Sequence, residues 1–297
     1  TTEGYFLGGR SFNWILIGFS LFATNISMGF FVGWTGKASG AGIAAFNPEL
    51  LGGIMLTISA VVFIPLYLRS RIFTIPQFLE LRYNRASKLL FGSIFVMKSV
   101  LSSPVMMYTG ALGILALFNF EITTTNIWIC GICIALTVGL YAVFGGLTAV
   151  VVTDVVQVVI MVAGAILISI VGLIKVGGLG QLLEAVPGHL ELLRPHSDRE
   201  FPWTAVMGGQ LLHSAFYAFT EVAILQRALG AKNVHNAQCG LLLGAYLKLM
   251  GVFVFVIPGL VGVVLFPDLP ADILYTTMVR EFLPVGLSGL VLAGMLA

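Results

Sequence analysis

The stretch Leu21-Phe-Ala-Thr-Asn-Ile-Ser-Met-Gly-Phe30 places small and polar residues inside a long apolar run. Several further glycines follow it, so the second half of the run is rich in glycine. Gly29 and Gly33 form the G-x-x-x-G pattern that is typical of closely packed membrane helices. The alternative is a helix that breaks here, so that freed backbone carbonyls face a cavity and bind a cation. Both interpretations place the stretch inside a membrane.

The composition of the whole chain supports a membrane location. Of the 297 residues, 58% are hydrophobic and only 9% are charged, and the mean hydropathy is +1.02. Soluble domains carry about 25% charged residues. This composition excludes a soluble enzyme, a nucleic-acid binder and a disordered segment. The net charge of +2 is too small to indicate a polyanionic partner. We expect an integral membrane protein whose surroundings are the lipid bilayer.

Eight apolar segments are candidates for membrane helices, which need about 20 residues each. The last is about half a span, so we expect about seven to eight transmembrane helices and an all-α fold. Their continuous Leu-, Ala- and Ile-rich runs differ from the alternating strands of a membrane barrel. The segments cover residues 12–36, 42–68, 89–117, 125–144, 150–174, 204–226, 238–265 and 286–297.

The distribution of Lys and Arg between the loops predicts the orientation. One side carries eight: Arg10, Arg69, Arg71, Arg82, Arg85, Lys88, Arg227 and Lys232. The opposite side carries five: Lys37, Lys175, Arg194, Arg199 and Arg280. We therefore expect a multi-pass protein of the cell membrane, plasma or inner, with the segment 1–11 in the cytoplasm.

Five ionisable residues lie at membrane depth, where each costs several kcal/mol unless it is paired or hydrated. Lys98 can snorkel or pair, Asp154 can serve as a helix-terminus charge, and Glu221 fits a gate or a structural role equally. Glu49 and Lys248 lie deepest in their apolar runs. A structural ion pair is one explanation for them, and a hydrated central cavity that binds a polar solute explains them better.

Other chemistry finds little support in the sequence. Cys130 and Cys133 form a C-x-x-C inside an apolar run, and His189 and His196 lack metal-ligand spacing. His213, the one histidine in a predicted membrane segment, has no nucleophile or metal pattern around it. We expect no enzymatic activity and no cofactor. Without a phosphate-binding loop for ATP, uphill transport would have to draw on an ion gradient.

Several strings resemble the sodium:solute symporter family, and within it the branch that is similar to sodium/glucose cotransporters. They occur in order along nearly the whole chain: Phe6-Leu-Gly-Gly-Arg-Ser11, Ala23-Thr-Asn-Ile-Ser27, Thr74-Ile-Pro-Gln-Phe-Leu-Glu-Leu-Arg-Tyr83, Tyr141-Ala-Val-Phe-Gly-Gly-Leu-Thr-Ala-Val150, Thr153-Asp154, Gln226-Arg227 and Gly244-Ala-Tyr-Leu-Lys-Leu-Met250.

The resemblance implies the leucine-transporter-type fold, with two inverted five-helix repeats around a midplane site. It implies a first repeat at 12–175, an extracellular loop at 176–203 and an incomplete second repeat at 204–297. Further helices are then expected before residue 1 and after residue 297. The implied function is sodium-coupled uptake of a small polar organic solute, preferably a sugar.

The resemblance also implies site residues. Sodium would bind the backbone carbonyls of Ala23 and Ile26, and Asp154 would assist ion passage. The solute would contact Asn25, Glu49, Tyr217, Lys248 and the position of Phe30. Sugar carriers of the family usually have Gln or His where this chain has Phe30, and often Trp where it has Ala218. A sodium- or proton-coupled carrier of an organic acid, vitamin or amino acid is therefore the alternative.

Overall fold

The computed structural model describes residues 2–118 and 120–296, and the regular elements of this part of the chain are all helices, without strands. Two isolated bridges, Phe12 to Ala231 and Arg194 to Pro202, tie loops together. The α-helices are α1 (Thr2–Leu7), α2 (Trp14–Asn25), α3 (Met28–Ala41), α4 (Asn47–Ile58), α5 (Ile64–Arg69), α6 (Ile75–Arg82), α7 (Arg85–Leu117), α8 (Thr124–Val176), α9 (Leu179–Ala185), α10 (Trp203–Ala205), α11 (Leu211–Thr220), α12 (Val222–Leu229), α13 (Val234–Lys248), α14 (Ile257–Leu265), α15 (Ala271–Phe282) and α16 (Val285–Leu296).

The first apolar segment is a broken helix, as one of the two interpretations predicted. Helix α2 ends at Asn25, and the next two residues are extended, with ψ of 101° at Ile26 and 172° at Ser27. The Ser27 side chain then caps α3 by accepting a hydrogen bond from the Phe30 amide at 3.3 Å. A Cβ on Gly29 would lie 2.8 Å from Thr109 Oγ1, so this glycine does permit close packing against α7.

The part of the chain that the structure describes contains four helices that are long and apolar enough to cross a membrane. They run over Gly29–Arg69, Arg85–Leu115, Ala142–Val176 and Val234–Leu265, and two shorter apolar helices cover Trp14–Asn25 and Thr124–Leu140. The count is below the predicted seven to eight, because some predicted segments join and others are broken. The segment 286–297 corresponds to the twelve-residue α16, and its last residue, Ala297, lies outside the described residues.

One predicted boundary is confirmed and others differ. The segments 125–144 and 150–174 follow each other within α8, and a kink at Gly146 (φ 60°, ψ −166°) separates them. The segment 204–226 is interrupted at Glu221. The segment 238–265 keeps helical backbone angles past Lys248, at Leu249 (φ −63°, ψ −22°) and Gly251 (φ −51°, ψ −30°), so it continues as one helical run. The polar stretch between Pro267 and Pro284 forms α15, which buries one apolar face through Leu274, Tyr275, Met278, Val279 and Phe282.

The broken helix lies at the centre of the packing. Helix α13 packs along α2 and α4, while α14 and α15 pack on α3. A Cβ on Gly18 would lie 2.6 Å from the Leu243 side chain, so this glycine lets α2 and α13 approach closely. Two apolar clusters result. One surrounds α3, α14 and α15, and the other joins the amino-terminal segment to α5, α12 and α13.

Candidate functional site

Glu49 and Lys248 form a buried ion pair. Lys248 Nζ donates to Glu49 Oε2 at 2.8 Å, and the two residues are only 3% and 8% exposed. Glu49 lies in the first turn of α4, and Lys248 is the last residue of α13. A carboxylate in the first turn of a helix favourably complements the helix dipole. The start of α4 and the pairing itself therefore offset part of the cost of burying these charges.

Tyr217 and Asn25 surround this ion pair. Lys248 Nζ lies 4.9 Å from the centroid of the Tyr217 ring, within the range of a cation–π contact. Asn25 Nδ2 donates to the Tyr217 hydroxyl and, at 2.8 Å, to the Leu21 carbonyl. Asn25 has its position because it is the last residue of α2, where the helix breaks. The break thus brings a side-chain amide to the charged pair.

These four residues and Phe30 line one cavity of about 220 Å³, which we call the Glu49 cavity. All five residues predicted to contact the solute therefore lie in the same place. Phe30 closes one wall, with its ring in an edge-to-face contact 5.4 Å from Phe255. The cavity therefore has an apolar wall besides its charged residues.

Four more polar or aromatic residues of the Glu49 cavity were not predicted from the sequence as site residues: Trp34, Gln210, His213 and Ser214. Gln210, Ser214 and Tyr217 are spaced four and three residues apart, which places them on one face of a helix. This spacing is the sequence signal that would have found them once Tyr217 was chosen. Trp34 follows Phe30 by four residues in α3 and shares its face in the same way.

Ala23, Ile26 and Asp154 line a second cavity, of about 430 Å³, which we call the Asp154 cavity. Asn25 lines the first cavity and its two chain neighbours, Thr24 and Ile26, line the second, so the broken helix separates the two. The Ala23 carbonyl accepts one hydrogen bond, from the Ile26 amide at 3.0 Å. A carbonyl oxygen has two lone pairs, so it can still coordinate a cation.

Asp154 forms the second buried ion pair, with Arg227. Arg227 Nη2 lies 3.0 Å from Asp154 Oδ2, and the Ser20 hydroxyl bridges the pair, donating to Asp154 and accepting from Arg227 Nε. The same guanidinium also donates to the Ala223 carbonyl. Asp154 lies eight residues beyond the irregular Gly146, outside any first helical turn. The interpretation as a helix-terminus charge is therefore wrong.

Arg227 was counted in the sequence analysis as a residue of a connecting loop, whereas it lies in α12 and is only 6% exposed. Its pairing with Asp154 joins residues 73 positions apart, which no local pattern could reveal. Lys98 and Glu221 also form an ion pair, so both have a partner. Glu221 lies at the interruption between α11 and α12, where its backbone is extended (ψ 115°).

The chain belongs to the sodium:solute symporter family, whose model matches residues 5–297. A relative in Escherichia coli, named uncharacterized symporter YidK, is 36% identical over 97% of this chain and 52% of its own length. Sodium/myo-inositol cotransporter 2 of Bos taurus is 32% identical over 100% of this chain and 49% of its own. The chain thus spans about half the length of the curated relatives it matches.

The fold is confirmed by a solved structure, that of a Na⁺-coupled sialic acid symporter in a substrate-bound, outward-open state. It has a TM-score of 0.86 and 23% identity, and the match covers 100% of this chain and 63% of that one. The chain therefore has the leucine-transporter-type fold of a multi-pass membrane protein. The roles of the individual site residues stay predictions.

Proposed function

We propose that the protein is a sodium-coupled secondary active symporter that takes up a small polar solute, preferably a sugar or a related polyol. The observation that carries the proposal is the separation of two cavities by the broken helix. The residues predicted for the solute line the Glu49 cavity, and those predicted for the ion line the Asp154 cavity. Residues at the break between α2 and α3 line both cavities.

The Glu49 cavity has the chemistry of a polyhydroxyl site. Lys248 and Asn25 supply donors, Glu49 supplies acceptors, and Tyr217 supplies an aromatic face beside them. Its volume is below the about 300–1,000 Å³ of typical drug-sized pockets, which suits a small solute. The names of the myo-inositol cotransporters and of the sialic acid symporter support the same class of solute.

Coupling would arise at the break. Sodium on the Ala23 and Ile26 carbonyls would hold the break in the conformation that presents Asn25 to the solute. A ligand shifts a conformational equilibrium only by its difference in affinity between the states. Each ligand would then raise the affinity for the other by the same factor. Asp154, in the same cavity as the two carbonyls, would assist passage of the ion.

The domain arrangement is part of the proposal. It comprises a cytoplasmic segment at 1–11, a first repeat at 12–175, an extracellular loop at 176–203 and part of an inverted second repeat at 204–297. On this arrangement both buried ion pairs join the two repeats, since Glu49 and Asp154 belong to the first, and Lys248 and Arg227 to the second. The protein would lie in the plasma or inner membrane.

A second candidate solute class is favoured by the apolar wall. Phe30 packs against Phe255 and Trp34 at the position where sugar carriers of the family usually have a polar residue. A carboxylate-bearing solute, such as an organic acid, a vitamin or an amino acid, would pair with Lys248 and place its apolar part against Phe30. Sodium or protons would drive its uptake.

Uptake into proteoliposomes tests both candidates. Labelled hexoses, myo-inositol, carboxylates and amino acids are supplied to vesicles under an inward sodium gradient, a proton gradient or a potassium control. We expect sodium-dependent accumulation of a hexose or polyol. Accumulation of a carboxylate alone would favour the second candidate. Equal uptake in sodium and in potassium would contradict sodium coupling.

A further inference from the structure

A third cavity lies away from the two proposed transport cavities, where the amino-terminal segment meets the α5–α6 and α12–α13 connections. It has a volume of about 560 Å³, and three cations line it: Arg10, Arg71 and Lys232. None of the described residues that line it is acidic. We call it the basic cavity.

The backbone at two of these cations is strained. Arg10 has a φ of 52° and Arg71 a φ of 49°, and within the described residues they alone among non-glycine residues have a positive φ. Such a conformation costs of order 1–3 kcal/mol and persists where its surroundings enforce it, often at ligand-binding positions. Both strained residues line the same cavity.

Hydrogen bonds hold the walls of the basic cavity together. The Phe12 amide donates to the Gly230 carbonyl at 3.1 Å, and the Lys232 amide donates to the Phe12 carbonyl at 3.0 Å. The Arg10 guanidinium reaches the Ile72 carbonyl at 3.5 Å. The three chain segments are therefore joined before any ligand binds, which lowers the entropic cost of binding.

The electrostatics favour an anion. Arg71 and Lys232 have no ion-pair partner within the described residues, whereas Arg10 makes other interactions. Asn233 caps α13 at this cavity, so the positive end of a 15-residue helix adds to the field. A guanidinium and an ammonium that line one cavity beside a helix amino terminus match a phosphate group.

We propose that the basic cavity binds a phosphate group, carried either by the headgroup of an anionic phospholipid or by a soluble phosphate. Bound phosphate would contact Arg71, which follows α5, and Lys232, which precedes α13. It would thereby cross-link two connections that are distant in sequence and stabilise the arrangement described here. This site is independent of the proposed solute and ion.

Ligand-dependent thermal stabilisation tests the proposal on the purified protein. One arm uses phosphatidylcholine nanodiscs with and without phosphatidic acid, and the other uses inorganic phosphate against chloride at equal ionic strength. The test variant is Arg71→Gly with Lys232→Ala, and Arg82→Gln, an exposed arginine outside the cavity, is the matched control. We expect the apparent affinity to fall at least tenfold in the test variant and to stay within twofold in the control.

Arg71→Gly alone separates a binding role from a structural one. Glycine adopts positive φ without strain, so we expect the midpoint of thermal unfolding without ligand to stay the same or rise. The increase in this midpoint on adding ligand should become smaller. Stabilisation by phosphatidic acid alone identifies a lipid headgroup, and stabilisation by both compounds identifies the phosphate group itself. Equal stabilisation by chloride, or an equal loss in Arg82→Gln, would overturn the proposal.

Discussion

The two buried ion pairs differ in how many of their hydrogen-bonding groups have partners in the protein. The Arg227 guanidinium donates to Asp154, to Ser20 and to the Ala223 carbonyl, so three of its five N–H donors have protein partners. The Lys248 ammonium donates to Glu49 and otherwise lies over the face of Tyr217. The first pair is hydrogen-bonded on several sides, whereas the second has donors and acceptors left for a ligand.

This difference indicates different roles for two pairs that look alike in sequence. A satisfied buried pair holds helices in register, and breaking it leaves an uncompensated charge. A partly satisfied pair beside a cavity is suited to exchange hydrogen bonds with a solute. Arg227 and Asp154 should therefore determine stability and the movement of the ion, and Lys248 and Glu49 should determine solute affinity.

The largest expected effect comes from Arg227→Gln. The change leaves the Asp154 carboxylate buried without its cation, and it should lower the free energy of unfolding by about 3–5 kcal/mol. Thermal unfolding in detergent measures it. The double variant Asp154→Asn with Arg227→Gln should recover much of the loss, because no unpaired charge remains. A wild-type midpoint for Arg227→Gln alone would contradict the assignment of this pair as structural.

Lys248→Ala is expected to act mainly on the solute. Losing a charged hydrogen-bond donor costs about 1.5–3 kcal/mol, which corresponds to roughly a 10- to 100-fold weaker apparent affinity. Concentration-dependent uptake measures it, with Lys175→Ala, near the end of α8 and outside the cavity, as the matched control. If the solute affinity of Lys248→Ala were unchanged, Lys248 would be a purely structural partner of Glu49.

A smaller effect is expected for Tyr217→Phe. This change keeps the ring beside Lys248 and removes only the hydroxyl that accepts from Asn25. The loss of one neutral hydrogen bond, about 0.5–1.5 kcal/mol, should weaken solute affinity by about two- to tenfold. Tyr217→Ala should weaken it further in the same uptake assay. An equal effect of both variants would show that the ring contributes nothing.

The smallest effect is expected at the partly buried loop pair Arg194–Asp198, which serves as a reference for both buried pairs. The Phe201 amide, the Arg194 side chain and the Glu200 amide lower the pKa of the Asp198 carboxyl below its usual value of 3.8. A depressed pKa stabilises the fold above pH 3.8, and this contribution disappears as the pH falls through the lowered pKa. Asp198→Asn should leave uptake unchanged at pH 7, and its slight loss in thermal midpoint should vanish in acid. If the loss in thermal midpoint persisted in acid, the lowered pKa of Asp198 would not be its cause.

Much of the candidate site was predictable because ionisable residues are rare in an apolar chain. Glu49, Lys248 and Asp154 stood out for this reason, and the family resemblance pointed to Asn25 and Tyr217. The interruption at Glu221 was not predicted, since apolar residues lie on both sides of it and hydropathy does not report a backbone break. The glycines and the polar residues around Asn25 did indicate the break after this residue.

The rest depended on tertiary contacts. Arg227 follows the predicted sixth segment, where the hydropathy pattern reaches the membrane surface. Hydropathy therefore did not indicate that Arg227 is buried against Asp154. Helix α15 was not predicted because charged residues at both of its ends lower the mean hydropathy of its sequence. The basic cavity assembles residues from three distant segments, and only the positive φ values of Arg10 and Arg71 and the proximity of the segments in the fold reveal it.

The most direct test of the account measures sodium and solute affinity separately in Lys248→Ala and Asp154→Asn. Sodium binding without solute can be followed by the fluorescence of Trp34, which lines the Glu49 cavity, in a protein whose other tryptophans are replaced by phenylalanine. The account predicts that Lys248→Ala weakens solute binding at least tenfold and leaves sodium affinity within twofold, while Asp154→Asn changes the sodium dependence of uptake more than solute binding. If both variants changed both affinities equally, the division into a solute cavity and an ion cavity would be contradicted.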